Sequence, residues 1–182
     1  MNVELKLTDR DDAYIVKNLW PLYVNDISEF DGRRPNKHGI VGASHDIASY
    51  FDLEGTLDGW WQHPGGIFPY LVYADGLPAG FNIIASPPHI PHQIKADFIV
   101  EEFFILHSFR GKGVAEQSAQ QGFDLHRGNW EITTYPNSPR AIGFWKKVLG
   151  MNGSGEYTEK LGQHVLGEKA IFNFDNRESR AA

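Results

Sequence analysis

The sequence predicts a mixed α/β fold in one domain, and three observations carry that expectation. An Asp75-Gly76 turn joins two apolar runs of strand length, which is the signature of a β-hairpin. The run from Phe98 to Leu106 is almost continuously apolar, as a strand covered on both faces would be, and from Gly113 the pattern changes to helical spacing. Finally, Ser138-Pro139 supplies a cap and a first helical residue for a stripe at Ala141, Phe144, Trp145 and Val148, with strand-like runs on either side.

The remaining elements fall in order around these. "VELKL" (Val3 to Leu7) alternates like a half-buried strand, and a helix follows, with Thr8 or Asp9 as its cap and Ile15, Leu19, Leu22 and Tyr23 as its apolar positions. "FDGRRPNKHGIVGAS" is a polar loop of about 15 residues, and a second helix is expected over "HDIASYFDLEGTLDGWWQ", stopped by "HPGG". The hairpin strands "IFPYLVYA" and "AGFNIIAS" come next, then the Pro-rich "PPHIPH" and the Phe98 to Leu106 strand. Ala115, Ala119, Gly122 and Phe123 share one stripe of the following helix. "WEITTYP" reads as a strand, Gly150 closes the helix begun at Pro139, and "GEYTEKLG" and "KAIFNFD" form a final strand pair. Residues 1–176 are expected to form the single domain, with 177–182 a frayed tail.

Composition narrows the function. With 182 residues the chain is long enough to bury roughly 70% of its unfolded surface without a staple. It contains no cysteine, which excludes a thiol nucleophile, a disulfide framework and any thiolate metal site. A net charge of −6 argues against nucleic acid as a partner and favours a small cationic one. No run approaches the ~18 apolar residues of a membrane span, and the N-terminus lacks a signal-peptide pattern, so a cytoplasmic location is the expectation. His89-x-x-His92 lies among prolines with no acid in register, so no metal is expected.

The chemistry concentrates in "EEFFILHSFRGKGVAEQ", Glu101 to Gln117. A helix beginning at the end of a buried strand exposes unpartnered N–H groups at the positive end of its dipole. Gly111 and Gly113 let the backbone approach a ligand there, with Arg110 and Lys112 adding charge, so the corner is either a phosphate site or simply a tight turn. G-K-G is not a Walker loop, and Glu116 stands where a dinucleotide fingerprint needs glycine. Glu101 and Glu102 head the strand. As adjacent strand residues they are expected on opposite faces, one of them entering a cleft as a base with a raised pKa, or both as solvated strand-end groups.

These residues carry a resemblance. "RGKGVA" is similar to the R/Q-x-x-G-x-G/A signature of the GNAT superfamily of acyl-CoA-dependent N-acetyltransferases, and "NSPRAIGFWKKV" resembles its second signature. With "EEFFIL" and "DISEF", the whole looks like a bacterial acetyltransferase subgroup. The resemblance implies a GNAT-like fold: a central, mostly antiparallel sheet with a splayed parallel strand pair, flanked by helices. It implies acetyl-CoA as cosubstrate, without a metal, and a small amine as acceptor, in a monomer or homodimer. Backbone amides of Gly111, Lys112, Gly113, Val114 and Ala115 would cradle the CoA pyrophosphate. The main chain of Ile105, Leu106 and His107 would pair with the pantetheine arm, and an amide near Phe104 or Ile105 would hold the thioester oxyanion. Glu102 is implied as base in preference to Glu101. Asp26, Glu29 and Phe30, with Asp31, Trp60 and Trp61, would line an acidic, aromatic acceptor pocket, or form a solvated helix end beside core aromatics.

Two positions depart from the family pattern. Its usual Asn falls on Ser138, with Asn137 one residue early, so that Ser138 is either a CoA contact or a helix cap. The tyrosine that often protonates the leaving thiolate falls on Trp145, which belongs to the apolar stripe as a core residue. A non-catalytic acyl-CoA-binding module is therefore the rival reading, and a nucleotide-binding protein a third.

Overall fold

The computed structural model of the protein describes residues 1–50, 57–151, 156–165 and 167–177. Seven strands form one sheet: β1 (Val3–Leu7), β2 (Ile67–Ala74), β3 (Leu77–Ala85), β4 (Phe98–Ile105), β5 (Asn129–Thr134), β6 (Tyr157–His164) and β7 (Gly167–Asp175). Among the described residues three α-helices flank it: α1 (Ala13–Asp31), α2 (Val114–Leu125) and α3 (Pro139–Met151). The sheet order is β1-β2-β3-β4-β5-β7-β6, and every pairing is antiparallel except β4 with β5. The mixed, mostly antiparallel sheet with one parallel pair is therefore present.

Helix α1 covers one face of the first half of the sheet, where Val16 and Leu19 pack with Leu71, Phe81, Ile83 and Phe104. Helices α2 and α3 cover the other face, joining Phe123, Trp145 and Val148 to Ile84, Trp130, Ile132 and Phe172. Alternation along the strands decides which residue serves which layer. At the β3/β4 contact a side chain has no room at position 80, since a Cβ there would stand 1.9 Å from the Phe104 carbonyl oxygen. Gly80 thus lets the two strands approach beside the site.

Several expectations are corrected. Residues 45–49 hold a turn and a bend and no α-helix, and Asp58–Trp61 coils as a 3₁₀ turn; residues 51–56 of the expected second helix lie outside the described residues. Asn36 explains the loss, because its side-chain amide donates to the carbonyls of Ser44 (2.9 Å) and Ile47 (2.7 Å) that a helix from His45 would need. Helix α1 begins at Ala13, since Asp9 accepts from the N–H groups of Asp11 and Asp12 in a preceding turn and Thr8 donates to the Pro69 carbonyl. Its buried face is Ala13, Val16, Leu19 and Val24, and Leu22 is exposed. Gly150 does not end α3, which runs to Met151, and β4 stops at Ile105 with Leu106 beyond it.

Candidate active site

Strands β4 and β5 pair only at Phe98 with Trp130 and Ile99 with Glu131, then diverge. A cleft of about 900 Å³ opens between them, lined by β4, by β5, by α3 and by the end of α1. Ile83 faces Glu102 across the β3/β4 ladder while Ile84 faces Val100, so Glu101 is an extra residue, a β-bulge. The bulge overturns the expected opposite-face arrangement: Glu101 and Glu102 both line the cleft.

Their environments nevertheless differ. Glu102 lies beneath α1, and the Tyr23 hydroxyl donates to its Oε2. Burial pushes the Glu102 carboxyl up to about 7; the Tyr23 bond and the more distant Arg33 and Lys169 charges oppose the rise, and the neighbouring Glu101 charge adds to it. Burial also raises Glu101, which keeps solvent access and receives a hydrogen bond from the Trp60 indole. Glu102 is thus poised to change protonation near neutrality, as a base for an ammonium acceptor requires.

The glycine corner stands at the C-terminal end of β4. Gly111 (φ 71°) and Gly113 (φ 80°) adopt the left-handed region, and Gly113 is the N-cap of α2. No side chain caps that helix, so its first N–H groups point outward for an anion. The flanking cations are committed elsewhere. Arg110 pairs with Asp26, donates to the Ile105 carbonyl at 2.7 Å and lies over the Phe104 ring, while Lys112 donates to the Ser108 carbonyl at 2.7 Å. The amides of Gly111 to Ala115, rather than these side chains, shape the corner.

Main-chain direction separates Phe104 from Ile105. The Leu106 N–H donates to the Ala79 carbonyl at 2.8 Å, and by strand alternation Phe104 also turns its N–H toward β3. Phe103 and Ile105 therefore turn theirs toward the splay. Ile105 keeps a free amide direction there while Arg110 occupies its carbonyl; beyond it, Leu106 and His107 accept from Phe109 (2.9 Å) and Arg110 (3.2 Å) in a short turn.

The expected acidic pocket is divided. Phe30 lines the main cleft, whereas Asp26, paired with Arg110, and Glu29 line a separate hollow of about 490 Å³ with His107 and Arg140. Trp61 is core, its indole donating to Thr8 at 3.0 Å. At the start of α3, Ser138 is 3% exposed and its carbonyl accepts from Ile142, as a cap position does; the Asn137 amide donates to the Phe30 carbonyl at 3.3 Å. Trp145, 5% exposed, packs its ring against Phe103, Phe123 and Phe144 at the inner wall of the cleft. His89 stacks on His63, and among the described residues no three acids or histidines converge as a metal-ligand set.

Sequence reasoning passed over Tyr23 as a partner of Glu102, and it passed over Glu131, Tyr135, His164 and Lys169, all in the cleft wall. A signal existed for Lys169, which alternates in phase with Ile171 and Asn173 against the core residues Ala170, Phe172 and Phe174.

The profile of the Acetyltransferase (GNAT) family matches residues 31–151. No curated protein sequence matches the chain. Among solved structures it is similar to an acetyltransferase from Thermus thermophilus (TM-score 0.63, 13% identity, 96% of this chain and 97% of that one). It is similar also to an aminoglycoside acetyltransferase in complex with coenzyme A (TM-score 0.63, 15% identity, 97% and 96% covered). A spermidine N-acetyltransferase from Vibrio cholerae, in complex with CoA and spermine, gives a TM-score of 0.60 at 15% identity over 96% and 95% of the two chains. At these identities the structures show a shared fold, and the family match spans most of the chain: the protein belongs to the GNAT acetyltransferase family.

Proposed function

We propose that the protein is an acyl-CoA-dependent N-acetyltransferase that moves an acetyl group from acetyl-CoA to a primary amine by direct attack in a ternary complex. The observation that carries this reading is Glu102, half-buried at the β4 bulge with its carboxyl pushed up to about 7, on the strand that leads straight to the Gly111–Gly113 corner. A base without that corner would suit many reactions, and the corner alone would suit any phosphate ligand. Joined by one strand, they fit a substrate with a reactive end and a phosphate end.

Glu102 takes a proton from the acceptor ammonium, directly or through water, and the freed amine attacks the thioester carbon. The Ile105 amide, turned toward the splay, holds the charge that develops on the carbonyl oxygen. As the C–S bond breaks, the nitrogen sheds its second proton and the leaving thiolate takes it up through water, which its reference pKa of about 8.5 allows, since no tyrosine stands at Trp145 to supply one. With no cysteine to carry the acetyl group, transfer occurs in a single attack. The Gly111 to Ala115 amides hold the pyrophosphate, and Phe103, Phe144 and Trp145 give the cleft its dry inner wall.

The test is a panel of amines assayed for thiol release from acetyl-CoA, with CoA binding followed by calorimetry. Release with at least one amine is expected. Tight CoA binding without release from any amine would instead favour the non-catalytic acyl-CoA-binding module.

A further inference from the structure

Among the described residues, no helix lies over β5 and β7 on the sheet face that α1 covers over β3. Alternation sends Glu131, Thr133, Tyr135, Lys169 and Asn173 to that face, where the first four wall the cleft opposite Glu101 and Glu102. The acids of this wall are already matched. Glu131 accepts from Asn173 at 3.2 Å and lies 3.4 Å from His164. Asp31, at the end of α1, pairs with Arg33 at 2.6 Å and accepts from the Tyr135 hydroxyl at 3.2 Å.

Lys169 is the exception. It is 6% exposed, and its ammonium stands 3.5 Å from the centroid of the Tyr135 ring. No hydrogen bond or ion pair joins it to any described residue. Burial lowers its pKa, partly opposed by the fields of Asp31 and Glu102. The ammonium lines the cleft beside an aromatic ring and has no acceptor among the described residues, so an anion that enters the cleft can complete it. Coenzyme A is a poor candidate for that anion, because its phosphates belong at the corner that opens α2, on the other face of the sheet. The remaining occupant of this face is the acceptor.

We infer that Lys169 binds an anionic group of the acceptor, so that the substrate is a zwitterion, with its amine at Glu101 and Glu102 and a carboxylate or phosphate at Lys169. This rests on the transferase reading above and narrows it to an acceptor class unlike the aminoglycosides and polyamines named for two structural neighbours. In an unsplayed sheet, strands two apart lie roughly 10 Å from each other, which suits an acceptor whose charges are separated by several bonds.

The experiment compares acceptors in matched pairs: 4-aminobutyrate, 6-aminohexanoate, lysine and phosphoethanolamine, each beside its decarboxylated or dephosphorylated amine, with spermine as the polycation control. At least a ten-fold higher kcat/KM is expected for the member carrying the anionic group in one or more pairs, and which pair responds tells carboxylate from phosphate. Lys169→Met should abolish that preference and Lys169→Arg should retain it, with the KM for acetyl-CoA unchanged. Removing an unmatched buried ammonium should not lower the thermal midpoint, so Lys169→Met is expected to fold. Preference for the twins lacking the anionic group, or for spermine, would overturn the inference, as would an equal loss on both twins in Lys169→Met. If CoA binds but no amine releases thiol, the transferase reading fails by itself. The anion site is then judged by calorimetry of the same zwitterions into the CoA-saturated protein. Binding that Lys169→Met removes supports it, and absence of binding to the parent chain overturns it.

Discussion

The halves of the sheet on either side of the β4/β5 splay solve different problems with the same alternating strands. In β2 and β3 both faces are enclosed: Leu71, Phe81 and Ile83 under α1, Val72 and Ile84 on the other side, all fully buried. In β5 and β7 the face toward α2 and α3 is closed by Trp130, Ile132 and Phe172, while the opposite face carries Glu131, Thr133 and Lys169 around the buried Ile171. The cleft lies on the seam. From the enclosed half Glu102 gains a roof, α1, whose Tyr23 desolvates it; from the open half it gains room for an acceptor. Neither half alone offers a carboxyl both poised near neutrality and reachable.

The largest expected effect comes from removing what the seam holds. Glu102→Gln should lower turnover near neutral pH by about 10²- to 10⁴-fold, the usual range for general acid–base groups, with CoA affinity unchanged in calorimetry. Glu101→Gln should cost much less, since Glu101 keeps its solvent access; the reverse ranking would move the base by one residue. A stability readout sharpens the point. Glu102 binds its proton more tightly when folded, at about 7, than at its ordinary value of 4.5, so its contribution is fully present below about pH 4.5 and is lost as pH rises through about 7. Glu102→Gln lacks this loss. Denaturation at about pH 8 should therefore find the variant more stable than the parent, by up to roughly 3 kcal/mol, with no such gap near pH 4.

The contrast between halves is tested next by paired truncations. Phe81→Ala should cost about 3–5 kcal/mol in denaturant unfolding, as a large ring leaves a cavity in an enclosed layer. Thr133→Ala, on the open face, should cost under about 1 kcal/mol. Similar costs at both positions would mean that the polar wall is as tightly packed as the core.

Much of this contrast was legible in the residues. The hairpin at Asp75-Gly76, the strand-to-helix change at Gly113 and the Ser138-Pro139 start all depend on local chemistry, and local chemistry is written in order along the chain. The Glu101 bulge was not legible, because it arises from how β4 registers against β3, a relation between segments about twenty residues apart. The second helix failed for a similar reason: Asn36 takes its carbonyls from outside the segment. In the acidic pocket, Asp26 and Phe30 are one helical turn apart and look like neighbours, yet only Phe30 faces the cleft, since Arg110 draws Asp26 to the other side.

A smaller effect is expected at the roof itself. The Tyr23 hydroxyl favours the charged form of Glu102, so Tyr23→Phe should raise the Glu102 pKa above about 7. Losing one such bond is worth about 1 kcal/mol, and the acid limb of the pH–activity profile should move up by about one pH unit while its plateau changes little. A limb that moved down would mean that Tyr23 acts mainly by burial.

The smallest effect is expected at Lys112, and it decides what holds the phosphates. A lysine between two glycines at a helix N-terminus invites the view that its charge is the binding element. In the structure Lys112 is exposed and bonded to the Ser108 carbonyl, while the helix start offers uncapped amides fixed by two left-handed glycines. Exposed charge pairs contribute about 0.2–1 kcal/mol and weaken with salt. Amides already fixed toward an anion have no side-chain entropy to lose. Lys112→Ala should therefore raise the KM for acetyl-CoA by no more than about five-fold at low salt, and by less at high salt. Gly113→Ala should raise it further, because a Cβ strains the φ of 80° that aims the first N–H groups. If the lysine variant proved the more damaging, the corner would bind by charge, and the backbone would serve only as the turn that carries it.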